Sequence, residues 1–330
     1  MAERHETLGV VGAGRFGTAL ANLVASTGRD VVLLTSNREV ADEINTDRTN
    51  AGRLPGVRLA PSLRATVDPA DLAASARFIV LAIASTEVRA RVRELGDVLD
   101  GSHMVVHANG ALATPGDDRV SRVVRDETPV KMVGVLAGPA LPNDLVRRQY
   151  ASMVVASRFD NVVAEGRRLL GVPPVLRVYG GRDLIGTEFA AALSGAHTVA
   201  VAMADALDVG PGPRAVMICR AVAEASRLGE AVGGEARTFA GLAGLGNLLV
   251  RTTPEAHARD YLLGLELGRR GVVPRAKHTE GVRAAAAAVR IADQFGVHVP
   301  LLRGVDAVVR GELTPAEAAQ TIAESVAAEE

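Results

Sequence analysis

A glycine-rich segment near the N-terminus carries the clearest chemical signature of the chain. Gly12, Gly14 and Gly17 form a G-x-G-x-x-G pattern that includes Arg15 and Phe16, directly after a predicted strand and at the start of a predicted helix. The first glycine of such a pattern permits a tight turn, the second lets the backbone approach a pyrophosphate, and the third lets helix and strand pack closely. Because the helix N-terminus also offers unpaired N–H groups and a positive dipole end, we predict a dinucleotide-binding loop.

The next predicted strand ends in a polar segment that bears on which dinucleotide binds. Ser36, Asn37 and Arg38 stand where an acidic residue would hold the ribose hydroxyls of NAD. A guanidinium can pair with a 2′-phosphate that a carboxylate would repel. We therefore expect NADP(H) to be favoured and NAD(H) to be possible. The alternative is that Arg38 is a solvated residue of the first helical turn.

A second group of candidates lies in a long, Ala-rich segment between Glu188 and Leu207. Ser194 and His197 are three residues apart and therefore share one face of the predicted helix. A histidine at that place can act as a general acid, or it can pack as a structural residue. A serine nucleophile is not expected, because a mid-helix serine lacks the elbow turn that exposes such a group.

The elements that must position these residues differ between the two halves of the chain. Six nearly continuous apolar runs in the first half indicate strands buried on both faces, with amphipathic helical segments between several of them. The runs are TLGVVGAG, DVVLLTS, RFIVLAIAS, HMVVHANG, VKMVGVLAG and ASMVVASR. This alternation predicts a Rossmann-type doubly wound parallel sheet, and from Arg182 onward Ala- and Leu-rich helical segments replace the strands. We therefore predict an α/β dinucleotide-binding domain over residues 1–181 and an all-α C-terminal substrate domain over residues 182–330.

The composition excludes several classes of partner. The net charge of the 330 residues is −1, without a basic run that would attract nucleic acid or an anionic membrane. Cys219 is the only cysteine, which suits a reducing cytoplasm, and no H-E-x-x-H or cysteine-based metal pattern occurs. No apolar run approaches the ~20 residues of a membrane span, and the N-terminus shows no export signal. We expect a cytoplasmic homodimer that acts on a small molecule and holds no metal.

Beyond the glycine-rich loop, the order of further motifs resembles the NAD(P)-dependent glycerol-3-phosphate dehydrogenase family. The motifs span nearly the whole chain: GAGRFGTALA, INTDRTNAGRLPGVRL, VLAIAST, LAGPALPND, DLIGTEFAAAL, RAVMICRAVAEASRLGEAVGG, FAGLAGLGNLL, HARDY and TEGVRAAAAAV. The resemblance implies a Rossmann-type domain followed by a helical domain, in an enzyme that uses NAD(P).

Several residues that this family uses at its site differ in the chain. The resemblance gives Ser194 the place of a lysine that carries proton transfer at the substrate oxygen, and Asn109 the place of a second lysine. Asn247 stands at the place of an aspartate, and the family's SRN, which grips phosphate and cofactor, reads ARD at residues 258–260. Within that segment, Arg259 is expected to hold a cofactor phosphate or a substrate carboxylate.

These departures predict a changed substrate. Two cations are lost and the Asp260 carboxylate is expected to repel a phosphate. A lost charge-assisted hydrogen bond costs ~1.5 to 3 kcal/mol, so phosphate recognition should weaken by orders of magnitude. We therefore predict a divergent NAD(P)H-dependent oxidoreductase, without the family's catalytic lysines, that is retargeted to a non-phosphorylated carbonyl or imine, or alcohol or amine. Its pocket beside the nicotinamide should be roomier and less positive than a phosphate site, because Ser194, Gly195 and Ala140 are small and Asp260 is acidic. The alternatives are a catalytically silent dinucleotide-binding homologue, as a sensor or partner subunit, and residual glycerol-3-phosphate dehydrogenase activity.

The remaining candidates would complete such a site. His197 or Lys277, one of only two lysines in the chain, would supply the proton. By the resemblance, Glu280 would lie near the nicotinamide end of the cofactor. Asn109, Asn247 and Asp260 would hydrogen-bond a neutral or cationic substrate.

Overall fold

The computed structural model describes residues 7–114, 116, 118–253, 256 and 258–324. In the first part of this range, strands and helices alternate. The strands are β1 (Leu8–Val11), β2 (Val31–Leu34), β3 (Leu63–Thr66), β4 (Phe78–Leu81), β5 (Met104–His107), β6 (Met132–Ala137), β7 (Ala151–Ser157) and β8 (Leu176–Gly181). The helices are α1 (Arg15–Ala25), α2 (Arg38–Thr46), α3 (Pro69–Ser75), α4 (Val88–Gly96), α5 (Val120–Glu127), α6 (Pro142–Val146) and α7 (Asp160–Leu170).

These strands form one sheet in the order β3-β2-β1-β4-β5-β6-β7-β8, and its neighbouring strands are parallel except for β6 and β7. The strand order reverses at β1, which pairs with both β2 and β4. In open α/β sheets, ligands bind outside the carboxyl ends of the strands at such a switch point. The glycine-rich loop follows β1 and therefore lies there. The predicted Rossmann-type doubly wound sheet is confirmed, with one antiparallel pair.

Two strands that the apolar runs do not reveal, β3 and β8, are the two edges of the sheet. Buried and exposed side chains alternate along their first residues, whereas all residues of β1, β2 and β4 are buried. Strands covered on both faces consist of continuous apolar residues, and partly exposed strands do not. The apolar-run criterion therefore finds the centre of the sheet and misses its margins.

Helices cover both faces of the sheet and form two separate cores. One core joins α1 and α7 to the strands through residues such as Leu20 and Leu169. The other joins α3, α4 and α5 through Leu72, Val92 and Val123. Burial on both faces holds β1, and with it the start of the glycine-rich loop, in a rigid setting.

The second part of the chain is helical. Its helices are α8 (Leu184–Ala206), α9 (Pro211–Ala231), α10 (Ala236–Phe239), α11 (Asn247–Arg251), α12 (Arg259–Arg270), α13 (Glu280–Phe295), α14 (Pro300–Arg310) and α15 (Pro315–Glu324), with a π-helix at Leu242–Gly246 and a 3-10 helix at Arg275–Lys277. The chain divides into two compact units, Met1–Asn109 with Ala113–Leu184, and Gly110–Leu112 with Ile185–Glu330. The predicted helical C-terminal domain is confirmed, since the described residues after 184 contain no strand. Its predicted start at residue 182 stays a prediction.

Helix α8 is a core helix of the second unit. By length and composition it could cross a membrane, with a mean hydropathy of 1.3 in its most apolar window, but 89% of that window is buried inside the protein. Helix α12 packs closely against it through Gly264 and Gly268. A Cβ built on either glycine would lie 2.6 Å from a backbone oxygen of α8, that of Val199 or Met203.

Candidate functional site

The glycine-rich loop has the geometry of a phosphate cradle. Gly12 has a φ of +109°, and a Cβ built on it would overlap the carbonyl oxygen of Ala82. A Cβ on Gly17 would overlap the Gly12 carbonyl oxygen. A Cβ on Gly14, in contrast, would have no described atom within 4 Å. The loop is therefore closed tightly behind Gly12 and Gly17 and open in front of Gly14, which fits a bound pyrophosphate.

The start of α1 completes this cradle. Gly14 is the N-cap of α1 and, as a glycine, has no side chain that could cap the helix. The first turn of α1, which is described throughout, contains no acidic residue. No acidic side chain of that turn therefore competes with a phosphate for the first N–H groups of the helix. Arg15 is exposed and donates to Asn143 Oδ1 over 3.1 Å, while Phe16 packs partly against the core.

Asn50, which sequence reasoning did not select, supports the loop from behind. It is 1% exposed, and its Nδ2 donates to the Ala13 carbonyl oxygen over 3.1 Å and to Thr18 Oγ1 over 2.9 Å. These two acceptors lie within the loop and in the first turns of α1. The amide therefore ties the loop to the helix that follows it. The sequence feature that could have indicated this role is the position of Asn50, a polar residue, within the INTDRTNAG motif.

The predicted nucleotide-discriminating residues lie at the carboxyl end of β2. Ser36, Asn37 and Arg38 are exposed, and Asn37 caps α2 by accepting from the Val40 N–H over 3.2 Å. Arg38 is the first residue of that helix, and Glu39 follows it in the same turn. This arrangement can present a guanidinium to a 2′-phosphate.

The polar residues in the middle of α8 are bonded within the helical unit. Ser194 Oγ donates to the Ala191 carbonyl oxygen over 2.7 Å, one turn earlier in the same helix. His197 Nε2 lies 3.2 Å from Glu224 Oε1, and both residues are 1% exposed. Glu224 also accepts from the N–H groups of Leu301 and Leu302, at the start of α14. His197 thus helps to join α8, α9 and α14, and its role as an acid stays a prediction.

The two predicted asparagines have different surroundings. Asn109 Nδ2 donates to the Ile83 carbonyl oxygen over 2.7 Å, while its buried Oδ1 has no hydrogen-bond partner among the described residues. Asn247 follows the π-helix, and its Nδ2 donates to the Ala243 carbonyl oxygen over 3.1 Å. π-Helical turns are frequent at functional sites, which favours a role for Asn247. The Oδ1 of Asn109, which has no partner among the described residues, is an acceptor that a substrate hydroxyl could satisfy.

An ion pair that sequence reasoning missed lies beside Gly195. Arg251 Nη1 is 3.1 Å from Asp260 Oδ2, and Asp260 Oδ1 accepts from the Gly281 N–H over 3.0 Å. A Cβ on Gly195 would lie 3.1 Å from Asp260 Oδ2 and 3.6 Å from Arg251 Nη1. The ion pair therefore packs directly against Gly195 and brings a positive charge to this part of α8. The sequence feature that could have indicated Arg251 is its spacing. It follows Asn247 by four residues in α11 and therefore lies on the same face of that helix.

Three further candidates lie at the ends of helices. Arg259 is exposed at the start of α12, and Glu280 begins α13. Lys277 is 53% exposed in its side chain, and its Nζ lies 2.8 Å from Glu266 Oε1. That hydrogen bond lowers the pKa of the Glu266 carboxyl below its ordinary value. The roles of these residues stay predictions.

A cavity of about 510 Å³ lies elsewhere in the first unit. Asn22, Ser26 and Arg48 are among the residues that line it. Asn22 and Ser26 are at the C-terminal end of α1, whereas the glycine-rich loop is at its N-terminal end. This cavity is therefore not the predicted dinucleotide site.

Two family models match the chain in succession. The model of the NAD-dependent glycerol-3-phosphate dehydrogenase N-terminus matches residues 7–163, and that of the NAD-dependent glycerol-3-phosphate dehydrogenase C-terminus matches residues 183–320. The chain belongs to the NAD-dependent glycerol-3-phosphate dehydrogenase family.

Relatives within this family are similar over almost the full length. A glycerol-3-phosphate dehydrogenase of Sphingopyxis alaskensis is 33% identical over 312 residues, 93% of each chain. One of Thermobifida fusca is 35% identical over 317 residues, 94% of each chain, and the names of both give NAD(P)+. The crystal structure of glycerol-3-phosphate dehydrogenase from Coxiella burnetii, 25% identical, matches with a TM-score of 0.88 over 97% of this chain and 99% of that one.

These similarities confirm the predicted enzyme class and overturn the predicted substrate. The chain is an NAD(P)-dependent oxidoreductase, as the loop and the order of motifs predict. The prediction of a retargeted, non-phosphorylated substrate is wrong, because relatives about one-third identical over nine-tenths of the chain are named glycerol-3-phosphate dehydrogenase. The structure shows a physical reason. Asp260 is not a free repulsive carboxylate, since Arg251 pairs with it.

Proposed function

We propose that this chain catalyses the NAD(P)-dependent interconversion of glycerol 3-phosphate and dihydroxyacetone phosphate. The observation that carries the proposal is the full-length similarity to relatives with this named activity. The Arg251–Asp260 pair supports it, because a compensated carboxylate no longer opposes a phosphate.

In this proposal the first unit holds the cofactor. Gly12, Gly14 and Gly17 shape the loop, and the first N–H groups of α1, from Arg15 and Phe16 onward, bind the pyrophosphate. NAD(P)H supplies the hydride when bound, and the protein supplies orientation. Further proposed contacts of the cofactor come from Arg259 and Glu280.

We propose that NADPH binds more tightly than NADH, because Arg38 can pair with the 2′-phosphate. Titration by fluorescence should show this preference in the wild type. Arg38→Ala should weaken NADPH binding about tenfold, the loss of roughly one charge-assisted hydrogen bond, and leave NADH binding unchanged. Arg158→Ala, at another exposed arginine of the same unit, is the control. Equal affinities in the wild type would contradict the assignment.

The proposed site works without the two lysines expected at positions 194 and 109. The Ser194 hydroxyl is bonded within α8, so we assign it no proton transfer. We propose that Asn109 accepts from a substrate hydroxyl through its Oδ1, which has no hydrogen-bond partner in the described part of the chain, and that Asn247 adds a second hydrogen bond.

We propose Lys277 as the proton donor in preference to His197. A donor must reach the substrate, and His197 is 1% exposed and bonded to Glu224, whereas the Lys277 side chain is 53% exposed. Lys277→Gln should lower kcat by about 10² or more without weakening glycerol 3-phosphate binding. His197→Gln should leave kcat per folded molecule near the wild-type value. An unchanged kcat in Lys277→Gln would remove this lysine from the mechanism.

The proposed activity is tested with the purified chain, NADPH and dihydroxyacetone phosphate, by following NADPH consumption and identifying glycerol 3-phosphate by mass spectrometry. Dihydroxyacetone without the phosphate is the matched control and should react far more slowly. NADPH binding without turnover of the phosphate ester would contradict the proposal and favour a silent dinucleotide-binding homologue.

We also propose that the protein is a cytoplasmic homodimer whose helical domain begins at residue 182. Sedimentation velocity should give twice the mass of one chain, and a monomer at micromolar concentration would contradict the dimer. Limited proteolysis of the ligand-free protein should cut near residue 182, because chain segments between domains are exposed.

A further inference from the structure

Arg251 lies where the positive charge of the expected lysines is missing. Its Nη2 is 3.0 Å from a Cβ built on Gly110, the residue after Asn109. Its Nη1 is 3.6 Å from a Cβ built on Gly195, the residue after Ser194. The guanidinium thus reaches the neighbours of both positions that lack a lysine. A Cβ on Gly110 would crowd it at 3.0 Å, whereas a Cβ on Gly195 would lie at an ordinary contact distance from it and would crowd Asp260 Oδ2 instead.

The pair with Asp260 orients this guanidinium. One carboxylate oxygen holds Arg251 Nη1 at 3.1 Å, and the other accepts from the Gly281 N–H in the first turn of α13. The side chains are 8% exposed for Asp260 and 27% exposed for Arg251. The buried partner is therefore the carboxylate, and the accessible partner is the cation, with Nη2 directed to the side of Gly110.

A second polar group near this pair lacks a partner. Thr279 precedes α13 as its N-cap but makes no side-chain cap, and its buried Oγ1 has no hydrogen bond among the described residues. It stands two positions before Gly281, whose N–H bonds Asp260. The first turn of the 16-residue helix α13, which also contains Glu280, therefore contacts the ion pair through the Gly281 N–H, and Thr279 precedes that contact by two residues.

We propose that Arg251 binds the phosphate group of the substrate and supplies the charge that the missing lysines would have given. This inference rests on the proposed function. A guanidinium binds phosphate in a bidentate manner without losing its proton, so Arg251 acts in binding and not in proton transfer. Asp260 is a positioning residue that holds Arg251 toward the site.

Calorimetric titration of glycerol 3-phosphate into the NADP+-saturated protein tests the proposal. Arg251→Gln should raise the Kd for glycerol 3-phosphate about 10- to 100-fold, and Arg251→Lys should have an intermediate effect. NADPH affinity, measured separately by fluorescence, should change less than about twofold, which separates the substrate phosphate from a cofactor phosphate. Arg214→Gln is the matched control, because it breaks a similarly buried arginine–aspartate pair, with Asp205, in the same unit.

A second variant guards against misfolding. Arg251→Gln alone leaves the buried Asp260 carboxylate without its cation, which destabilises a protein. The double variant Arg251→Gln with Asp260→Asn removes both charges and should fold as the wild type does, by circular dichroism and thermal unfolding. It should still bind glycerol 3-phosphate about tenfold or more weakly.

The outcomes separate this inference from the proposed function. Wild-type-like glycerol 3-phosphate binding in the double variant overturns the role of Arg251 and leaves the function standing. Loss of NADPH affinity with unchanged glycerol 3-phosphate affinity also overturns it, because the arginine then serves the cofactor. If the wild type neither binds nor converts glycerol 3-phosphate, the proposed function fails. Titration with inorganic phosphate then tests the role of Arg251 by itself. Phosphate binding by the wild type that is lost in Arg251→Gln supports an anion site at this arginine, and the absence of phosphate binding by the wild type overturns that site.

Discussion

Replacing Gly14 by alanine should abolish tight dinucleotide binding while leaving the fold intact. Gly14 has a φ of −72°, which alanine adopts without strain, and no described atom lies within 4 Å of an added Cβ. The substitution should therefore stabilise the ligand-free protein slightly, by about 0.4 to 1 kcal/mol, because alanine restricts the unfolded chain more than glycine does.

The effect on binding follows from the same open space. The added methyl group would occupy the place where a pyrophosphate approaches the first N–H groups of α1. Holding the phosphate away should remove at least one charge-assisted hydrogen bond, at ~1.5 to 3 kcal/mol. Since ~1.4 kcal/mol corresponds to a factor of ten, the Kd for NADPH should rise about 10- to 150-fold.

Fluorescence titration with NADPH and thermal unfolding of the ligand-free protein measure both effects on one sample. Gly17→Ala is the matched control, because its Cβ would overlap the Gly12 carbonyl oxygen and should lower both stability and binding. Wild-type NADPH affinity in Gly14→Ala would refute the assignment of the loop as the phosphate site. A lower unfolding temperature in Gly14→Ala would refute the open geometry itself.

Three further substitutions test the supports of the two units. Asn50→Ala should weaken NADPH binding severalfold and destabilise the first unit by about 1 to 3 kcal/mol in denaturant unfolding. If the variant has the NADPH affinity and the unfolding free energy of the wild type, the loop does not need this amide. Glu224→Ala should destabilise the helical unit by about 2 to 4 kcal/mol, more than Glu224→Gln, because it leaves buried N–H groups without an acceptor. Hydrogen bonding by Arg64 lowers the pKa of Asp71 from 3.8 to about 2. This lowered pKa stabilises the folded state above about pH 4, and the gain disappears as the pH falls toward 2. Asp71→Asn should therefore cost about 1 kcal/mol or less at pH 7, and this cost should shrink as the pH falls through about 2; a cost that does not fall with pH would exclude this pair as its cause.

Local patterns were sufficient for the six inner strands of the sheet and for the cofactor loop. The glycines at positions 12, 14 and 17 act through turn geometry and close approach within a few residues, so their spacing alone predicts their use. Apolar runs identify the central strands because helices cover both of their faces. The same patterns miss β3 and β8, since an edge strand exposes alternate side chains.

The surroundings of His197 and Asp260 could not be predicted in this way. The sequence leaves Asp260 available to a substrate and leaves His197 with either an acid or a structural role, because a sequence shows the charge or the ring but not the partner. Glu224, which bonds His197, is 27 residues away and reaches residues 77 and 78 positions further along the chain. The partner of Asp260 is nearer, nine residues away, yet it lies on a different helix.

The sequence by itself determined the division into a strand–helix half and a helical half, the dinucleotide loop and the family. Each of these is encoded by residue types at short, regular spacing or by motifs in a set order. Only the tertiary structure decided that Arg251 neutralises Asp260 beside Gly195 and Gly110. Gly195 and Gly281, which have no side chains, let helix α8 and the start of α13 approach closely, and Asp260 at the start of α12 joins the Gly281 N–H to the Arg251 guanidinium. Such an approach depends on how helices pack, which no local pattern specifies.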